Sequence, residues 1–280
     1  MASNPVFDRI DKERARGYAG FDRQVSGPQG TYVGQEAMSQ QALEQMYQQP
    51  PASPTQMGRV TMDDIIMKTI GLFVVVLGVG AVAWTLTSPD TSTGFMLMLG
   101  GIAGTLVLGL VIAFKKAISV PLIVTYAVFE GALVGAVSKF YNDYFGDGIV
   151  AQAILATLCV FGAMLFVYKT GILKVTDKFR RIMTFAILGY VVFALVNFVF
   201  ALVTSTPFGI GGTGGLGIAI SLFATGLAAF TLALDFDSID KAISSGAPAR
   251  YSWLLAHGLI VTLVWLYLEM LRLLARLRSE

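Results

Sequence analysis

TLALDFDSIDKAISSGAPARYSWLLAHGLIVTLVWLYLEMLRLLARLR, residues 231–278, decides the fold. Two apolar runs flank a short polar turn, and each run carries a carboxylate at or inside its hydrophobic part, Asp235 in the first and Glu269 in the second. An ionisable side chain at membrane depth costs about 2.5–3.5 kcal/mol on insertion scales, so it faces a partner or a wet cavity and is a functional candidate by default.

The rest of the chain has the composition of a container for that hairpin. Of its 280 residues, 55% are hydrophobic and only 14% charged, and the mean hydropathy is +0.69. These values describe an integral membrane protein. The net charge of +2 says little about partners; a lipid bilayer is the expected surrounding, and no nucleic-acid partner is expected. The one cysteine, Cys159, excludes an intrachain disulfide, and one His with one Cys argues against a zinc site. Residues 1–60 are rich in Gln, Pro, Ser and Gly and have no sustained apolar face, which predicts a disordered tail with no secretory signal. Residues 61–280 form the membrane domain.

Seven apolar runs, near 65–87, 93–114, 119–138, 148–168, 181–204, 214–236 and 253–274, are each long enough to cross a bilayer. Basic residues follow alternate runs: Lys115 and Lys116 after the second, Lys169, Lys174, Lys178, Arg180 and Arg181 around the fourth loop, Lys241 and Arg250 in the sixth. Excess Lys and Arg marks the cytoplasmic side, which puts the amino terminus inside. Arg272, Arg276 and Arg278 at the far end conflict with a seventh full crossing, so a last helix that re-enters without crossing stays open.

Several motifs carry less than they spell. Gly209, Gly211 and Gly214 give G-x-G-x-x-G in an uncharged loop between spans, without the strand that a dinucleotide site requires. Gly100–Gly104 and Gly131–Gly135 have the small-xxx-small spacing of close helix contacts, read here as internal packing. No Lys sits in the last span for a Schiff base, Asp235 is not preceded by the G-x-G of intramembrane aspartyl proteases, and no nucleophile–base set is visible, so no catalytic residue and no enzyme activity is expected.

Three further residues are candidates for a pore or proton path: Glu130 in the third run, Asp237 beside the sixth-span end, and His257. Each also has a plain structural reading. Glu130 can be a protonated side chain bonded to a neighbouring helix, Asp235 and Asp237 can mark a helix end, His257 can be a packing residue, and Glu269 can pair with Arg272 one turn on.

The segments EGALVGAVSKFY (130–141), ALDFDSIDKA (233–242) and TLVWLYLEMLRLLARL (262–277), in that order on seven spans, resemble the transmembrane Bax inhibitor motif family, also called the Bax inhibitor-1 family. The resemblance covers about residues 60–280. It implies a seven-helix bundle with a central last helix in a bacterial cell (inner) membrane. It also implies a pH-sensitive passive leak of Ca²⁺ or another cation, with no cofactor, sensed by a carboxylate pair that shares a proton. Asp235 matches one position of that pair and Glu269 the other, where a family member has Asp. Some bacterial members are similar instead to regulators of a membrane-bound protease, and a non-transporting regulator or scaffold, using the amino-terminal tail for its partner, is the second expectation.

Two carboxyls in contact in a low dielectric repel as ions and favour one shared proton. Helix geometry sets a condition on that contact. Counted from a turn centred near Gly246, Asp235 is level with His257, and Glu269 is about 18 Å deeper at 1.5 Å per residue. The pair meets only if the sixth helix breaks before Asp235 or residues 240–253 lie along the surface. Lys68 in the first span is a candidate latch for the pair.

Overall fold

The structure is a computed structural model that describes residues 58–87, 92–115, 117–206 and 208–279; the expected tail falls almost wholly outside them. Among the described residues seven helices run in order: α1 Met62–Leu86, α2 Ser92–Phe114, α3 Val120–Phe145, α4 Ile149–Lys169, α5 Asp177–Thr204, α6 Gly215–Ser244 and α7 Tyr251–Arg278. All seven are long and apolar enough to cross a membrane. The molecule is an all-α, multi-pass membrane protein.

Local chemistry sets several of the ends. Thr61 caps α1 by accepting from the backbone N–H of Asp64 at 3.2 Å, and Asp63 and Asp64 in the first turn complement the helix dipole. Thr176 does the same for α5 through Phe179 at 3.2 Å. Gly146 ends α3 with a φ of 91°, which a side chain would resist. Two helices outrun their apolar segments. α3 continues past Ser138 with Lys139 bound to Asp143 at 2.5 Å, and α6 continues past Phe236 with Lys241 bound to Asp237 at 2.9 Å. These i,i+4 pairs sustain polar turns beyond the stretch that hydropathy marks.

Helix α7 is the axis. It packs on α6, α1, α4 and α3, and 61% of its most apolar stretch is buried, against 6% for α5, which leans chiefly on α6. α7 also runs the full height of the bundle. Near its start Ser252 bonds Asp64 and Lys68 at the start of α1; at its end Arg278 donates to the carbonyls of Phe145 and Gly146, at 2.8 and 3.1 Å. At 28 residues, about 42 Å, α7 is long and apolar enough for a complete crossing. The face on which α1, α3, α5 and α7 begin is called here the first face, and the opposite one the second.

The α1–α3 contact explains the glycine pairs. A Cβ on Gly131 would lie 2.6 Å from the Val76 carbonyl, and one on Gly135 would lie 2.1 Å from the Gly80 carbonyl, so only glycine permits these backbones to touch. Gly101 and Gly104 fit in the same way against Leu133 and the Phe129 ring. The Gly131–Gly135 spacing serves internal packing; of the other pair, Gly104 meets α3, and Gly100 has no neighbour within 4 Å, its place against α3 being taken by Gly101. The remaining glycine motif forms the loop between α5 and α6, where Asn197 accepts from the N–H of Ile210 at 2.6 Å and donates to the Phe208 carbonyl at 3.2 Å. A helix precedes this loop, so the nucleotide-binding context is absent there.

The α6–α7 connection is short. α6 continues unbroken through Asp235 to Ser244, the chain turns at Gly246 with a φ of 67°, and α7 starts at Tyr251. The Ala247 carbonyl accepts from the Val60 N–H at 2.8 Å, which fixes the turn to the start of the membrane domain.

Candidate functional site

The buried acids lie along the two sides of α7, and they differ in how they are satisfied. Glu269 is 3% exposed and fully supplied. Its Oε1 accepts from the Tyr190 hydroxyl at 2.5 Å and from the Trp265 indole N–H at 3.3 Å, while Arg272 donates to both carboxylate oxygens at 3.2 and 3.3 Å. Arg272 also donates to Tyr190 at 3.2 Å, and the hydroxyl of Tyr141 is within its hydrogen-bonding reach. Tyr190 stacks on Trp265 with ring centroids 5.6 Å apart. The local ion pair with Arg272 is therefore the state of Glu269, reinforced by a tyrosine from α5.

Asp235 has the opposite environment. Helix α6 turns it toward α7, where the Thr262 hydroxyl is its hydrogen-bonding neighbour, and its Oδ2 is buried with no partner. That hydroxyl also lies 3.2 Å from the Gly258 carbonyl, so a single proton faces two acceptors. A buried carboxylate supplied so thinly is costly to keep as an ion unless water or a cation completes its shell.

Glu130 repeats this pattern on the other side of α7. It is 3% exposed, its Oε1 accepts from the Tyr126 hydroxyl at 3.1 Å, and its Oε2 is buried without a partner. The Tyr126 ring meets His257 edge-on at 4.5 Å, so Glu130, Tyr126 and His257 form one cluster between α3 and α7. Helices α3 and α7 run parallel, as the Tyr126–His257 and Ser138–Tyr267 contacts show, the latter at 2.6 Å. Glu130, one turn beyond Tyr126, thus lies near the level of Ile260 and Thr262. The two acids with an orphaned oxygen sit at nearly the same depth, near the middle of α7.

The structure does not bring Asp235 and Glu269 together. Thr262, beside Asp235, precedes Glu269 by seven residues, about 10 Å along α7. Neither condition for their contact is met, because α6 does not break and the α6–α7 turn does not spread along the surface. Asp237 is bound by Arg180 and Lys241 and joins a first-face ionic group with Asp240, which accepts from Tyr168 at 2.8 Å. Lys68 is not at the pair either. It binds Asp64 at 2.7 Å and Ser252 at 2.6 Å and lies over the Trp253 ring, tying α1 to the start of α7.

Sequence reading missed Tyr126, Tyr190, Trp265 and Thr262. Tyr126 and Trp265 stand four residues before Glu130 and Glu269, a spacing that puts them on the same helix face and was open to view. Tyr190 and Thr262 join their acids from other helices, and no local spacing announces them.

A family model described as Bax inhibitor 1 like matches residues 4–279 of the chain. No curated protein is significantly similar to it.

Proposed function

The chain belongs to the Bax inhibitor 1 like family, and on that footing we propose that it is a passive, pH-responsive cation leak, with Ca²⁺ as the ion. The observation that carries the reading is the orphaned oxygen of Asp235 in the bundle interior. Protonated, Asp235 is neutral and compatible with the apolar stretch of α6 that carries it, where Leu232 and Phe236 are buried. Ionised, it needs ligands that one shared hydroxyl cannot supply, and water and a hard cation are the species that carboxylate oxygen attracts. Its charge state thus sets whether the α6–α7 seam is dry or wet.

Glu269 takes a different part in this scheme from the shared-proton role that the resemblance implied. Paired with Arg272 and bonded by Tyr190, it anchors α7 to α5, and Asp235 titrates without it. Glu130, at the same depth on the far side of α7, extends the path. Asp237 and the first-face cations flank its entrance. The first face is the cytoplasmic one in this reading, because the loops after α2, α4 and α6 hold the Lys and Arg excess.

The test is Ca²⁺ flux through purified protein in liposomes between pH 5 and pH 9. Asp235→Asn is expected to flatten the pH profile, and Glu269→Gln to leave its shape. Flattening by both substitutions would restore the shared-proton pair. No flux from the parent protein at any pH would favour a non-transporting regulator, such as a modulator of a membrane-bound protease.

A further inference from the structure

A cavity of about 810 Å³ opens in the second-face half of the bundle between α2, α3 and α5, with α7 at its back. It falls in the size range of small-molecule sites, roughly 300–1,000 Å³. Its rim is largely apolar and exposed, with Phe198 of α5 at 37% exposure and Phe140 and Tyr144 of the α3 extension at 45% and 67%, so it opens sideways from the bundle near the second-face boundary of the apolar segments. The opening exists because α5 packs chiefly on α6 and leaves α2 and α3 unopposed there.

One cation reaches this cavity. Arg272 lines it together with Tyr141 and Tyr190, and 35% of the Arg272 side chain is accessible, so the Glu269 ion pair does not enclose it. Arg276 lies one turn further on, 1% exposed, bonded to the Gly217 carbonyl, to Ser221 and to the Phe208 carbonyl, with its guanidinium against the Phe208 ring and its Nε unpartnered. Among the described residues, Glu269 is the one carboxylate bonded to this arginine pair. One buried and one half-buried guanidinium against one carboxylate leave an excess positive charge beside an apolar cavity, and that field attracts an anion.

We propose that this cavity binds a long-chain fatty carboxylate, its head on Arg272 with Tyr141, and its chain along Leu268, Val137, Leu133 and Ile102 toward the membrane centre. A carboxylate takes two parallel N–H bonds from one guanidinium, and the Tyr141 hydroxyl adds a donor beside it, while the Tyr190 proton stays on Glu269. The depth favours a free fatty acid over a two-chain phospholipid. Arg272 stands six residues before Arg278, about 9 Å inside the helix end. A phosphate tethered to its headgroup would be drawn below the interface to reach it, whereas a carboxylate at the tip of a single chain enters with its chain.

The site is read by binding and is independent of flux, so it stands or falls apart from the leak. The probe is 11-(dansylamino)undecanoic acid added to the full chain in detergent, displaced by palmitate. Saturable binding is expected, with palmitate displacing the probe at least about tenfold better than methyl palmitate, which keeps the chain and lacks the charge. Ala194→Trp, which fills the cavity without changing charge, is expected to weaken binding by about tenfold or more. The double variant Glu269→Gln/Arg272→Gln, which removes the cation without stranding its partner, is expected to do the same. Non-saturable uptake, equal displacement by the ester, or unchanged affinity in the Ala194→Trp protein with its helix content intact would overturn the proposal. Stronger displacement by phosphatidylglycerol than by palmitate would overturn it in favour of a diacyl lipid.

Discussion

Glu269 and Asp235 are acidic side chains on facing helices of one hairpin, yet one is saturated with donors and the other is left with an unpartnered oxygen. Glu269 holds an arginine, a tyrosine and an indole N–H, an arrangement that fixes a charge in place and leaves little for a proton or an ion to do. Asp235 has one hydroxyl that is also claimed by a backbone carbonyl. The difference teaches that burial of an acid in a membrane bundle is not by itself a sign of function. The count of unmet hydrogen-bonding positions separates a structural carboxylate from one poised to take a ligand.

The comparison is most severely tested at Arg272. Arg272→Gln leaves Glu269 buried beside neutral partners and is expected to destabilise the bundle by about 3–5 kcal/mol, whereas Glu269→Gln/Arg272→Gln is expected to recover most of that loss. Unfolding of the three proteins in mixed micelles measures both, and a single variant no less stable than the double would break the structural reading of Glu269. Thr262→Val, which strips Asp235 of its hydroxyl, is expected to cost about 1–3 kcal/mol if Asp235 depends on that bond. Thermal unfolding reads the cost, and a change near zero would mean that the hydroxyl serves Gly258 instead. Tyr126→Phe removes a single neutral bond from Glu130 and is expected to cost about 1 kcal/mol, checked in the same melts. Asp235→Asn should be the mildest, within about 1 kcal/mol of the parent, because no strong partner is lost. A loss as large as that of Arg272→Gln would show that Asp235 is structural too and would erase the contrast.

Topology was almost wholly legible in the chain. Seven apolar runs became seven helices because a bilayer leaves the backbone no other way to satisfy its N–H and C=O groups over such a length. Helix ends were less legible where charged residues continue the helix, as Lys139 with Asp143 in α3 and Asp237 with Lys241 in α6 do. Hydropathy reports where lipid is, and a helix can run on past it.

By itself the sequence determined the seven apolar runs, the acids within them, the spacing that lets Glu269 pair with Arg272 and the glycine spacings, since each depends on residues within a few positions of one another. Only the tertiary structure decided which acids stay short of partners. Tyr190 reaches Glu269 from 79 positions away, Thr262 meets Asp235 across the α6–α7 seam, and the distance between the two acids along α7 follows from an unbroken α6 and a tight turn at Gly246. Those relations come from the axial register of helices packed side by side, which the whole bundle fixes and no local pattern encodes.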